Sequence, residues 1–173
     1  MKSERQLLED PFYGEPKSSD SHPGKFKGKM KWPLGREAPL KPIDVYLTIS
    51  DANYWRGVAI LDKPFDRVVV SIKKGLPDGV YSTSDFNNNI FVKCIYDGMI
   101  AGSMVGTVKF DTKMGNLKIT DVSGSFEADY SRTPDMPAPL KNAPPKTNNE
   151  TSKFKLSCNF EFLDIAKSST DKT

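Results

Sequence analysis

Between Lys153 and Phe162 every second side chain is apolar: Phe154, Leu156, Cys158, Phe160 and Phe162 alternate with Lys153, Lys155, Ser157, Asn159 and Glu161. A period of two puts one set of side chains on a core and the other in water. A helix, whose apolar stripe recurs every three to four residues, cannot use such a pattern. The same rhythm runs through Ile43-Asp44-Val45-Tyr46-Leu47-Thr48-Ile49, with the odd, aliphatic positions turned inward. It also runs through Lys25 to Trp32, where Phe26, Gly28, Met30 and Trp32 lie opposite Lys25, Lys27, Lys29 and Lys31. A strand as aromatic as 153–162 has to insert into a sheet and cover a core.

The remaining segments are shorter and are cut by 13 Pro and 12 Gly, which prevents long helices. Trp55–Leu61 reads as a strand after the turn Ser50-Asp51-Ala52-Asn53. The β-branched run Arg67–Lys73 suits a central strand. Val80–Ser82 is a short strand at most, and Ile90–Tyr96 leads into Asp97-Gly98, a two-residue hairpin signal. Met99–Asp111 carries Gly102 and Gly106, which in a strand mark a bulge, a bend or close backbone approach. Leu117–Val122 and Gly124–Tyr130 predict a further hairpin or bent strand pair, while Pro33, Gly35, Pro39 and Pro42 predict a loop. The whole predicts an all-β fold, a single antiparallel β-sandwich or β-barrel of about nine strands, with turns at roughly 8–12-residue spacing. No βαβ spacing is present, and glycine-bearing strands help a sheet to coil.

A chain of 173 residues suits one domain. Residues 1–23 read as a flexible N-terminal arm, whose Leu7-Leu8 and Pro11-Phe12-Tyr13 patch is expected to dock on the body. Residues 24–166 form the all-β domain, with a long Pro-rich loop at 132–152, and residues 167–173 form a frayed tail. No apolar stretch resembles a signal peptide or a membrane span. The expectation is therefore a soluble, cytoplasmic chain, or a secreted one if a leader has been trimmed. The net charge of +3 is too small to argue for nucleic acid. Cys94 and Cys158 sit inside apolar runs and read as small buried hydrophobes.

Catalytic chemistry finds little to work with. The single histidine, His22, lies in the expected arm, and neither zinc-type spacing nor a calcium loop occurs. No catalytic residue, metal or cofactor is expected. The many Asp and Glu residues fall mostly in turns or on outward strand faces, although a pair about 5–9.5 Å apart in a pocket would suit glycoside hydrolysis. The lysines at 25, 27, 29 and 31 form either a positive stripe for phosphate-bearing or acidic partners or an edge strand guarded against aggregation. The second reading is preferred, because no aromatic side chains interleave with them. Asn53-Tyr54-Trp55-Arg56 gathers two aromatic rings and a cation beside turn polar groups, a composition suited to sugar stacking or a protein hot spot. Trp32 is a weaker case, and each Trp also suits packing at the end of a core. Asn149-Glu150-Thr151 matches a glycosylation acceptor and is read as chance.

The resulting expectation is a non-enzymatic binding or interaction module engaging a small ligand, glycan or protein partner. It would do so through an aromatic rim (Tyr54, Trp55, Arg56, Trp32) and the Pro-rich loop. Two alternatives are an assembly protein that self-associates through edge strands and the arm, and a hydrolase using paired carboxylates.

Overall fold

The computed structural model describes residues 17, 21–31, 37–61, 66–83, 89–96, 99–101, 104–129, 153–163 and 165. Outside them lie Trp32, the Pro-rich loop 132–152, the glycosylation pattern, the tail 167–173 and most of the arm. All regular structure among the described residues is strand: β1 (His22–Lys31), β2 (Glu37–Leu40), β3 (Pro42–Thr48), β4 (Tyr54–Leu61), β5 (Arg67–Lys73), β6 (Gly79–Thr83), β7 (Ile90–Tyr96), β8 (Met99–Ala101), β9 (Val105–Asp111), β10 (Leu117–Asp129) and β11 (Lys153–Phe162). The antiparallel all-β expectation holds. The finer division differs because Glu37–Leu40, read as loop, pairs with Gly28–Lys31 of β1, and because Met99–Asp111 divides into β8 and β9.

The strands follow the path β11-β1-β3-β4-β5-β7-β8-β10, and pairing of β10 with β11 brings its ends together into a nearly closed barrel. β9 and then β6 continue from β10. Two long strands make the corners. β1 pairs with β3 at His22 and Pro23 and with β2 from Gly28 onward. β10 pairs with β9 over Lys118–Ser125 and with β8 at Ala128 and Asp129. Across from the Ile119-to-Val122 step of β10, β11 spends one residue fewer, a bulge in which Asp121 adopts φ 53°. The Asp121 amide donates to Asn159 Oδ1 at 2.9 Å. Next to this bulge Gly106 faces Gly124, and a Cβ on Gly106 would stand 2.0 Å from the Ser123 carbonyl oxygen. Gly106 therefore serves the close backbone approach expected of it. Asp97-Gly98 is flanked by the Tyr96–Met99 pair of the β7–β8 hairpin.

The interior is filled by the alternating faces read from the sequence. Met30, Leu47, Phe110, Phe126, Phe154, Phe160 and Phe162 are all buried. Phe126 stacks on Phe154 with centroids 5.5 Å apart, and Phe160 stacks on Phe162 at 5.8 Å. Phe162 crosses toward β4, where a Cβ on Gly57 would lie 3.1 Å from its ring. Cys94 and Cys158 are free thiols in this core.

Two expectations need correction. Ile43 is 61% exposed, because a bulge between Pro42 and Asp44 inserts it as an extra residue and turns it out of the inward set. The lysine-bearing strand β1 is no edge: it pairs with β11 from Gly24 to Lys31 and with β3 and β2 on its other side.

Candidate functional site

Alternation along β4 separates the expected rim residues. Trp55 faces inward and packs, partly buried, against the main core with Ile49. Tyr54 and Arg56 face outward. The two outward residues meet there, with the Arg56 guanidinium carbon 5.4 Å from the Tyr54 ring centroid and Tyr54 edge-on to Phe91 at 6.1 Å. Trp32 lies outside the described residues.

A turn holds this outer group in place. Asp51 Oδ1 accepts the amides of Asn53 at 2.7 Å and Tyr54 at 3.0 Å, which makes the Asp side chain a mimic of turn backbone. Its Oδ2 accepts Arg56 Nη1 at 2.9 Å. The Asn53 amide, helped by Arg56 and Tyr54, holds the Asp51 carboxyl below its ordinary value against the opposing effect of burial. Lys74 reaches over from the end of β5 and donates Nζ to the carbonyls of Ile49 at 2.9 Å and Asp51 at 2.6 Å. The next turns around this barrel end are tied similarly: Asp78 Oδ1 accepts both the amide and the hydroxyl of Thr112, and the Ile165 amide donates to Gly115.

The strand register sets Arg56 in a row that sequence reasoning missed. Thr48 of β3 pairs with Arg56, Arg56 with Ser71 of β5, and Ser71 with Phe91 of β7. Thr48, Arg56 and Ser71 are only 2%, 2% and 1% exposed. The hydroxyls of Thr48 and Ser71 are buried with no hydrogen-bond partner. The next row along the same face is apolar, with Tyr46, Val58 and Val69 forming a second, smaller buried cluster. Lys17 meets this face at Asp44, 3.2 Å from each carboxylate oxygen. β5 is consequently buried on both faces from Arg67 to Ile72. Ser71 was detectable in principle, as the lone hydroxyl in an aliphatic run of a central strand. Thr48 carried no comparable signal.

Several carboxylates are engaged structurally: Asp51 with Arg56, Asp44 with Lys17, Glu37 with Lys29 at 3.8 Å, and Asp78 with Thr112. Among the described residues no group of three or more His, Cys, Asp or Glu side chains is arranged to hold a metal ion, and no helix is long and apolar enough to cross a membrane. The fold thus defines an antiparallel, barrel-like all-β protein with a buried polar row on one outer face. No family model matches the chain, and no curated protein or solved structure is significantly similar to it.

Proposed function

We propose that the chain is a non-enzymatic binding module that holds a small, uncharged polar ligand, with a saccharide as the best fit, against the outer face of β3, β4 and β5. The observation carrying this reading is the pair of partnerless hydroxyls, Thr48 Oγ1 and Ser71 Oγ, on either side of Arg56; both are closed to solvent, so a ligand takes these hydrogen bonds only as the face opens to admit it. A buried hydroxyl without a partner costs about 1–3 kcal/mol. Native proteins answer that cost with ordered water or a bound group. The two positions are separated by two inter-strand spacings, about 9.5 Å, which a sugar ring spans with a hydrogen bond at each end. Arg56 and Asp51 offset each other's charge, which favours a neutral ligand, and the Tyr54 and Phe91 rings offer apolar surface beside the row. Trp32 and the Pro-rich loop are further contacts suggested by composition alone, and the proposal does not depend on them.

The test uses Thr48→Val with Ser71→Ala, which removes both hydroxyls and nearly keeps the shape. Amide chemical shifts are followed while glucose, galactose, N-acetylglucosamine and cellobiose are added in turn. At least one sugar should shift signals of β3–β5 in the parent and none in the double variant. The variant should also gain about 1 kcal/mol of stability in urea unfolding, because two unsatisfied groups are gone. A parent that responds to no sugar, or a variant that responds as the parent does, overturns the proposal.

A further inference from the structure

On the side of the barrel formed by β1, β11, β10, β9 and β6, the outward positions are mostly polar, and lysines outnumber acids among the described charged ones. Lys25, Lys27, Lys29 and Lys31 are all exposed along β1. Lys155, Lys118 and Lys109 are exposed on the strands beyond it, with Ser157, Asn159, Ser123 and Thr107 between them. Register makes this one continuous surface. Lys25 pairs with Glu161, Glu161 with Lys118, and Thr120 with Lys109.

Two features of this face serve no purpose in the fold itself. Lys155 stands directly opposite Lys31 of β1 on one side and Ser125 of β10 on the other, so it meets a like charge and no acid across either ladder, although Lys31 itself also faces Glu37 of β2. Val80 and Val105, 65% and 64% exposed, lie on the same outward side, with Val80 paired to Lys109 and Val105 to Ser125, which separates it from Lys155. The protective role expected of the lysine row is also removed, because β1 has neighbours on both sides. Departures from local rules without a structural return mark functional surface.

We propose that this face docks on an anionic phospholipid surface, with the lysines at the level of the headgroups and Val80 and Val105 entering among them. Charge complementarity calls for a polyanion, and three observations select lipid. The cations described on this face are all lysines, point charges suited to a laterally mobile array of phosphates, whereas bidentate reading of fixed phosphates favours arginine. Its apolar side chains are separate valines, without the contiguous apolar centre of a protein interface. Among the described residues of this face no aromatic ring accompanies the lysines to stack on bases.

The full chain is sedimented with phosphatidylcholine vesicles, with and without phosphatidylserine. Binding should require phosphatidylserine and weaken by about tenfold or more between low and physiological ionic strength. Lys155→Glu should lower vesicle binding severalfold and at the same time raise the melting temperature, because it gives Lys31 an opposite charge on this side as Glu37 does on the other. A folding defect would instead lower both. Val80→Ser with Val105→Ser should weaken binding at unchanged charge. Absence of binding to phosphatidylserine vesicles at low salt overturns the proposal, as does a Lys155→Glu variant that binds like the parent. Tighter binding to heparin or duplex DNA than to vesicles, with no effect of the valine substitutions, would assign the face to a polyanionic chain and overturn the lipid assignment.

Discussion

Asp51 anchors the β3–β4 turn through both carboxylate oxygens and through its carbonyl, which accepts the Lys74 ammonium. Its most consequential partner is Arg56, since a guanidinium only 2% exposed depends on a nearby negative charge. Asp51→Ala should therefore cost about 3 kcal/mol in chemical denaturation, at the lower end for a broken buried pair because Asp51 itself is partly exposed. The same contact has a pH signature. The folded-state pKa of Asp51 lies below the ordinary 3.8, so the carboxylate contributes its full stabilisation above that value and loses it as pH falls through the folded pKa. The parent should show this additional acid-side loss of stability, and Asp51→Asn should lack it when melting temperatures are compared across the acid range. A difference between the two proteins that stayed constant with pH would show that the carboxylate's charge is immaterial.

At the scale of elements, bulges and turns aim the side chains. The bulge at Ile43 turns out an aliphatic side chain that alternation assigns to the core, and the bulge at Asp121 inserts an extra residue into β10 against both β9 and β11. The β9–β10 turn closes with the Asn116 amide on the Lys113 carbonyl, and both central residues, Met114 and Gly115, have positive φ, at 56° and 75°. That is a type I′ turn, whose first central position favours Asn, Asp or Gly. Met114 is 96% exposed and gains nothing from packing in exchange for its left-handed backbone. Met114→Asn should therefore raise stability by about 1 kcal/mol in urea unfolding. A neutral or destabilising result would indicate that the Met114 side chain has a contact worth as much as the backbone strain.

Over the whole molecule, closure of the sheet concentrates the aromatic faces of β9, β10 and β11 in one interior. Both thiols lie within it, and burial pushes the Cys94 and Cys158 pKa values up, with a further push on Cys94 from Asp66 and on Cys158 from Cys94. A thiolate is the reactive form, so native protein should leave both cysteines unmodified by a disulfide reagent such as DTNB at neutral pH, and denaturant should release two equivalents. Rapid labelling of either thiol in the native state would mean that the interior opens far more readily than its packing implies.

Alternation is a local property of the chain, and it sorted the faces of β1 and β11 correctly, while the chemistry of Asp51 and of Asp97-Gly98 marked where strands turn back. Tyr54 and Arg56 were legible as partners for the same reason, and Trp55, one residue out of phase with both, belongs to the opposite face. What alternation leaves open is which distant strand lies alongside and whether the outward face is covered. Pairing on both sides of β1 removes it from the edge, register across β3, β4 and β5 assembles Thr48, Arg56 and Ser71 into one row, and burial of that row's face makes its hydroxyls costly. Those outcomes depend on chain segments tens of residues apart returning to one another, and a pattern two residues long carries no record of such returns.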